Sequence, residues 1–194
     1  MNVFVVLGHQ NSGSFNHAIA DTVVDELRQL GHEVVFHDLY AEQFDPILPH
    51  EEISPGAELP PVVKQHCDEV LAADGYVVIH PNWWAMPPAI LKGWIDRVIR
   101  QGTMYAFGPT GVIGKLEGRR ALVLTTSNTP RDDELRLYGD PLENLWKACV
   151  FGFIGVTDFN RRNFESIVMS TPEQRTEWLD ETRRLVREQF PATQ

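Results

Sequence analysis

Small polar residues dominate the segment GHQNSGSFN, residues 8–16, which joins an apolar run to a stretch of helical periodicity. Ser14 and Asn16 belong to the residue types that cap helix N-termini, and His9 adds a ring that can form a hydrogen bond or carry a charge. The unpaired amides and the dipole of a helix N-terminus attract anions. This segment therefore predicts a phosphate site, with N-capping by Ser14 or Asn16 alone as the alternative.

Two adjacent tryptophans, Trp83 and Trp84, follow the apolar run at residues 75–81. Their side chains point in different directions in an extended segment, so at least one of them is predicted to face a cleft. A large flat ring at that place suits a planar aromatic ligand. The alternative is that both rings pack under Pro87 and Pro88 as part of the loop core.

Hydroxylated residues characterise a third segment, TTSNTP at residues 125–130. Its amides and side chains could contact the polar edge of a ring, although an ordinary turn has the same composition. The segment at residues 8–16 is suited to an anion, and the tryptophan segment is suited to an aromatic ring. Together the three segments favour a phosphorylated planar cofactor, and flavin mononucleotide (FMN) fits that description.

Several common active-site patterns are missing from the sequence. Gly114-Lys115 is followed by Leu116, which does not match a P-loop, and neither G-x-G-x-x-G nor G-x-S-x-G follows the first apolar run. Cys67 and Cys149 lie 82 residues apart without a Cys/His cluster. We therefore expect two small buried thiols rather than zinc ligands or a disulfide.

Charge and hydropathy point to a soluble protein. The 194 residues include 17 Lys or Arg and 27 Asp or Glu, for a net charge of -10. Such an acidic surface argues against binding to nucleic acid or to anionic membranes. No window approaches the roughly 18 apolar residues of a membrane helix, and the N-terminus lacks a basic segment typical of signal peptides. We expect a cytoplasmic protein without membrane insertion.

Strands and helices that alternate along the chain must position the three segments. Apolar runs predict five strands, at residues 2–8, 33–39, 75–81, 119–126 and 157–168, and helices are predicted at 16–30, 62–73, about 87–101, 141–154 and from 171 onward. Residues 43–61 are predicted to form a long polar excursion, and residues 103–118 a glycine-rich loop.

This alternation indicates an α/β protein, a doubly wound five-stranded parallel sheet of the flavodoxin-like order 2-1-3-4-5, in a single domain over residues 1–194. In such sheets ligands bind at the carboxyl ends of the strands, beside the switch point between strands 1 and 3. All three polar segments are predicted to lie at that edge.

The segment from His80 to Phe107, HPNWWAMPPAILKGWIDRVIRQGTMYAF, closely resembles the flavodoxin-like NAD(P)H:quinone oxidoreductase family. That family includes DT-diaphorase and the ancillary flavoproteins of potassium efflux systems. The shared element is P-x-x-W-x-x-x-P-A-I-L-K-G-W, which runs here from Pro81 to Trp94. Further matches are H-x-x-x-x-S-F-N-x-A from His9 to Ala18, and Asp38-Leu39-Tyr40 followed by Phe44-Asp45-Pro46.

The resemblance implies a homodimer that binds FMN or FAD near the subunit interface. It also implies transfer of a hydride from NADPH or NADH to the flavin, followed by two-electron reduction of a quinone-like acceptor. Matched by motif, the residues for flavin phosphate and ribitol are His9, Ser14, Phe15 and Asn16, those lining the isoalloxazine are Pro81, Asn82, Trp83, Trp84 and Ala85, and those at its pyrimidine edge are Thr126, Ser127 and Asn128.

The chain departs from the family pattern at two functional positions. Where the family often has T-T-G-G, this chain has Thr125-Thr126-Ser127-Asn128, which adds side chains where glycines let backbone approach a ring. Tyr138 stands where DT-diaphorase has a catalytic histidine, and we expect it to stabilise charge on the acceptor or flavin. The chain is also shorter than DT-diaphorase, which favours FMN over FAD.

Two other functions remain open at this level. The efflux ancillary subunits raise the alternative of a regulatory flavoprotein with a transporter partner. The acidic surface would also suit a flavodoxin-type electron carrier. The tryptophan-proline segment resembles the reductases rather than the carriers, so an NAD(P)H dehydrogenase of the quinone-reducing type is the leading hypothesis.

Overall fold

The computed structural model describes residues 1–192. Within that range the chain forms seven strands: β1 (Asn2–Leu7), β2 (Glu33–Asp38), β3 (Gly75–Pro81), β4 (Tyr105–Gly108), β5 (Gly111–Gly114), β6 (Arg120–Thr126) and β7 (Asp158–Phe164). The helices are α1 (Phe15–Gln29), α2 (Pro61–Ala72), α3 (Ala89–Val98), α4 (Arg131–Tyr138), α5 (Pro141–Asn144) and α6 (Pro172–Gln189). A π-helical segment, Leu145–Gly152, continues directly from α5.

Five of the strands form one parallel sheet with the order β2-β1-β3-β6-β7. These are the five strands predicted from the apolar runs, and their order fits the predicted 2-1-3-4-5. The prediction of an α/β doubly wound sheet is therefore confirmed, whereas the single-domain assignment stays a prediction.

The core lies on both faces of this sheet, because side chains alternate along each central strand. On β1, Val3, Val5 and Leu7 are buried against α1 and α6, while Phe4 and Val6 are buried on the α2 and α3 side. A strand covered on both faces needs a continuous apolar sequence. This is why β1, β3 and β6 were recognisable as unbroken apolar runs.

Four element predictions need correction. The glycine-rich loop contains a hairpin, because β4 and β5 pair antiparallel. Residues 131–138 form a helix that was not predicted, since only Glu134 of α4 is buried and no apolar stripe marks it. The predicted strand at 157–168 ends at Phe164, before a left-handed turn at Ser166 (φ +55°). The predicted helix at 141–154 is α-helical only to Asn144.

The polar excursion after β2 crosses closely over α3. A Cβ placed on Gly93 would lie 2.1 Å from the carbonyl oxygen of Pro46, so only glycine allows this approach. Arg97 holds the excursion from the same helix, donating to the carbonyl oxygen of Asp45 (2.6 Å) and to the buried carboxylate of Glu52 (2.6 and 3.0 Å).

The two cysteines differ in how far they are buried. Cys67 is buried in the core as predicted, but Cys149 is exposed on the π-helical segment, so its prediction as a buried residue is wrong. Both thiols are free. Among residues 1–192, no helix is long and apolar enough to span a membrane.

Candidate functional site

The three polar segments meet at the carboxyl edge of the sheet, where backbone hydrogen bonds connect them. The amide of Gly8 donates to the carbonyl oxygen of Ile79 (2.9 Å), and the amide of Asn82 donates to that of Thr126 (2.6 Å). The amide of Ser127 donates to Phe164 on the edge strand β7 (2.9 Å). The parallel register of the sheet therefore brings segments more than 100 residues apart into contact.

Ser14 is the N-cap of α1. Its backbone is extended, and its hydroxyl accepts a hydrogen bond from the amide of His17 (3.4 Å). The same hydroxyl lies 2.9 Å from Nδ1 of His17, whose Nε2 lies 2.9 Å from a carboxylate oxygen of Asp38. Two side chains thus fix the orientation of the cap, at a helix end whose remaining amides can bind an anion.

Asn16 lies inside the helix rather than at its cap. Its side chain is almost fully buried, and its Nδ2 donates to Oγ1 of Thr126 (2.9 Å). Its Oδ1 is buried and has no hydrogen-bond partner among the residues that the structure describes. Because an unpaired buried acceptor is costly, this atom marks a place where a ligand donor would stabilise the protein.

His9 completes this segment as a neutral group. Its Nδ1 accepts a hydrogen bond from the amide of Asn11 (3.1 Å), and its ring meets that of His17 edge-on at 6.0 Å. Burial lowers the pKa of His9 below its ordinary value, so the ring is uncharged at neutral pH. Its contribution to an anion site is a hydrogen bond rather than a charge.

A first cavity of about 220 Å³ joins the three segments. Ten of the predicted residues line it together with two apolar side chains that follow β7: His9, Ser14, Phe15, Asn16, Pro81, Asn82, Trp83, Thr126, Ser127, Asn128, Ile167 and Val168.

The two tryptophans lie in a tight turn. Trp83 and Met86 exchange two backbone hydrogen bonds of 3.0 Å, and both residues between them, Trp84 and Ala85, have positive φ (+56° and +61°). Left-handed conformations are costly for residues other than glycine and cluster at functional sites. Trp84 is 98% exposed and Trp83 is 40% exposed, so the alternative of a buried loop core is wrong.

A second cavity of about 440 Å³ adjoins the first on the side of α4. Its lining comprises Asn82, Trp84, Ala85, Ser127, Asn128, Thr129, Glu134 and Tyr138, of which Asn82, Ser127 and Asn128 also line the first cavity. Tyr138 is 59% exposed at its mouth. Every predicted site residue therefore lines one of two adjoining cavities at a single edge of the sheet.

Glu134 is a component that the sequence did not reveal. Its carboxylate accepts hydrogen bonds from Nδ2 of Asn82 (2.7 Å) and Nδ2 of Asn163 (3.3 Å), and the residue is 4% exposed. Burial raises the pKa of Glu134, and the nearby carboxylate of Asp140 raises it further. In the sequence this residue ends an acidic run that looks solvated, and no signal separates it from Asp132 and Asp133.

His80 holds the end of β3, directly before the tryptophan turn. The ring is fully buried, its Nδ1 donates to the carbonyl oxygen of Pro81 (2.7 Å), and its Nε2 accepts from Nε1 of Trp146 (2.9 Å). Burial lowers the pKa of His80 to about 4. The neutral ring therefore fixes the end of β3 without carrying charge.

A cavity of about 930 Å³ lies apart from the predicted residues, between α4, α5 and β7. Its buried cation is already paired, since Arg161 contacts Asp140 at 2.8 Å. Arg162 likewise contacts Glu181 and Glu165, each at 2.9 Å. These ion pairs balance the charges of Arg161 and Arg162, while Nε of Arg161 remains without a hydrogen-bond partner among the described residues.

Comparisons with known proteins agree with this architecture. A family model described as "Flavodoxin-like fold" matches residues 1–190. A protein of Haemophilus influenzae named "Uncharacterized NAD(P)H oxidoreductase" is 37% identical over 123 residues, covering 62% of this chain and 61% of that protein. The match thus spans less than two thirds of that relative's length.

Two further relatives are similar over most of the chain. An "FMN-dependent NADH:quinone oxidoreductase" of Erythrobacter litoralis is 30% identical over 156 residues, covering 75% of this chain and 77% of that protein. A solved structure, "NAD(P)H:quinone oxidoreductase from Methanothermobacter marburgensis", superimposes with a TM-score of 0.83 at 26% identity, covering 97% of this chain and 96% of that one.

Proposed function

The chain belongs to the flavodoxin-like NAD(P)H:quinone oxidoreductase family, and from that premise we propose that it is a flavin-dependent NAD(P)H oxidoreductase acting on a quinone-like electrophile. The observation that carries this proposal is the convergence at the carboxyl edge of the sheet. A helix N-terminus, an exposed tryptophan turn and a hydroxylated loop surround two adjoining cavities there.

The residues present fit a flavin. The N-terminus of α1, capped by Ser14, would hold the phosphate, because its free amides and dipole favour an anion. The tryptophan turn would cover the flat ring, and Thr126, Ser127 and Asn128 would face its polar edge. The unpaired Oδ1 atoms of Asn16 and Asn82 are acceptors that such a polar ligand could satisfy.

A bound flavin would supply the two-electron chemistry, accepting a hydride from NAD(P)H and passing electrons to the acceptor. The protein's own part is to bind, orient and exclude water. His80 fixes the end of β3, and the turn at Trp84 and Ala85 holds its backbone in a strained conformation. Tyr138 can donate a hydrogen bond to a quinone oxygen.

We extend the proposal to FMN rather than FAD, with NADH or NADPH as donor. The Erythrobacter relative is named for FMN and NADH, and the N-terminus of α1, which lines the first cavity, would hold one phosphate group. A cytoplasmic location belongs to the same proposal.

A homodimer is part of the proposal as well. The β4–β5 hairpin exposes Phe107 (63%) and Val112 (41%), which pair across one face, and Ile113 (52%), and exposed apolar side chains on a surface favour association. Light scattering on the purified protein tests this part, and a strictly monomeric mass would contradict it.

The decisive experiment is an absorbance spectrum of the purified protein before and after anaerobic addition of NADPH. Flavin bands that bleach would support both the cofactor and the hydride step, and acid extraction would then distinguish FMN from FAD. Bands that persist with NADPH and with NADH would favour a carrier or a regulatory flavoprotein. A protein that takes up neither FMN nor FAD would overturn the proposal.

A further inference from the structure

The side chain of Asn82 lines both cavities, and only one of the two polar atoms of its amide has a hydrogen-bond partner. Its Nδ2 donates to Glu134 at 2.7 Å, whereas its Oδ1 is buried and has no partner among the described residues. Glu134, when ionised, is an acceptor only, so the atom of Asn82 that faces it must be the donor. The carboxylate of Glu134 therefore decides which end of this amide remains available to a ligand.

We propose that Glu134 is a positioning residue that holds the Asn82 amide with its oxygen toward the cavities, so that the site selects a ring that donates an N–H there. The isoalloxazine ring of a flavin carries one such donor, the imide N–H between its two carbonyl groups. This inference rests on the proposed function, because it concerns the same cavities and the same ligand.

The second partner of Glu134 reinforces this orientation. Nδ2 of Asn163 donates to Glu134 (3.3 Å) and to Oγ of Ser127 (3.0 Å), and its Oδ1 accepts from Oγ1 of Thr125 (2.9 Å). Since two hydroxyl groups fix the amide of Asn163, it presents a donor to Glu134. Both amides thus require an acceptor at position 134, which a carboxylate supplies with its two oxygens.

A glutamine at position 134 would conflict with this arrangement. Its amide has one acceptor and one donor, so one of the two neighbouring asparagines would have to turn over. Turning Asn163 would disturb its bonds to Thr125 and Ser127, whereas the Oδ1 of Asn82 has no protein bond to lose. Asn82 is therefore the residue that turns, and it would then present a donor to the cavities, opposite the donor of the ring.

The test compares FMN affinity, measured by fluorescence quenching, for the wild-type protein and three variants. We expect Glu134→Gln to weaken FMN binding about tenfold, because a hydrogen bond is replaced by two opposed donors. The double variant Glu134→Gln with Asn82→Asp should recover affinity to within about threefold, because it again places an acceptor at the cavities. Asp132→Asn, on the exposed side of α4, removes the same charge and should leave the affinity unchanged.

Thermal unfolding of each apo variant separates positioning from simple loss of structure. If Glu134→Gln does not fold, Asn82→Ala provides the second route, and about tenfold weaker FMN binding is expected there too. Unchanged affinity in Glu134→Gln, or in Asn82→Ala where the first variant does not fold, would overturn the inference. A double variant as weak as Glu134→Gln would do the same. A wild-type protein that binds no flavin would instead overturn the proposed function.

Discussion

Two clusters of polar side chains, each with a buried centre, differ in how completely their hydrogen bonds are satisfied. The cleft cluster, Asn16, Asn82, Glu134 and Asn163, consists mostly of amides at the carboxyl edge of the sheet. The histidine cluster, His37, Glu42, His66 and Glu69, lies between the edge strand β2 and α2. By residue type the histidine cluster is the more reactive of the two, yet it is the cleft cluster that leaves acceptors unpaired.

Every ring nitrogen of the histidine cluster has a partner. His37 contacts Glu42 through Nδ1 (2.9 Å) and Glu69 through Nε2 (2.6 Å). Nδ1 of His66 accepts from Nε1 of Trp94 (3.1 Å), and its Nε2 lies 3.5 Å from Glu42. The ligand atoms of His37, Glu42 and His66 lie within 4.8 Å of one another, a spacing that could hold a metal ion.

The indole of Trp94 argues against metal binding by this cluster. Because Trp94 donates to Nδ1, the neutral ring of His66 carries its proton on Nε2, the atom that would have to bind the metal. The cleft cluster has simpler residue types, but the Oδ1 atoms of Asn16 and Asn82 remain open. Between these two clusters, unpaired buried atoms therefore distinguish the candidate binding site from the structural network better than residue type does.

The largest expected effect is on the stability of the histidine cluster. His37→Leu should lower the free energy of unfolding by about 3 kcal/mol and the melting temperature by about 6–12 °C, because the hydrogen bonds of the His37 ring to the carboxylates of Glu42 and Glu69 are lost. FMN affinity should stay within about twofold, since no group of the cleft is touched. The exposed His50→Leu is the matched control for calorimetry, and an unaltered melting temperature in His37→Leu would break the comparison.

A change in the cleft should act on binding and spare stability. Ser14→Asp keeps a good N-cap for α1 but places a negative charge beside the expected phosphate, so FMN affinity should fall about a hundredfold. Riboflavin, which lacks the phosphate, should lose far less, and Ser14→Asn is the neutral control. Equal losses for FMN and riboflavin would refute the phosphate assignment.

The histidine cluster should also make the protein sensitive to acid. Burial beside His37 lowers the pKa of His66 to about 4, whereas the unfolded chain protonates this ring near pH 6.5. The unfolded state thus binds more protons between these values, and the stability present above pH 6.5 is lost as the pH falls toward 4. From pH 7 to pH 5 this amounts to about 2 kcal/mol. Urea denaturation should show a correspondingly smaller loss in His66→Gln, and equal losses would contradict the assignment.

The smallest expected effect concerns the strained turn of the cleft. Trp84→Gly should be about 1 kcal/mol more stable than Trp84→Ala, since glycine adopts the positive φ at this position without the Cβ conflict. The comparison of two small residues removes the effect of the indole itself. Equal stabilities in chemical denaturation would show that the turn stores no strain.

Much of the fold and of the candidate site could be predicted because the signals were local. Strands buried on both faces require unbroken apolar runs, and a capped helix start requires Ser14 or a similar residue, so both are visible in a linear sequence. The helix α4 and the hairpin β4–β5 were missed because neither buries an apolar stripe. The role of their residues depends on contacts in the folded protein, and no pattern in the linear sequence shows those contacts.

The sequence by itself determined the alternation of strands and helices, the family, and the three loops at one edge of the sheet. Only the tertiary structure decided which polar atoms are paired. The charged run Asp132-Asp133-Glu134 consists of carboxylates throughout, yet that of Glu134 turns inward to Asn82 and Asn163 while Asp132 is exposed. Hydrogen bonds between distant segments depend on register and side-chain direction, and those are set by the packing of the whole chain.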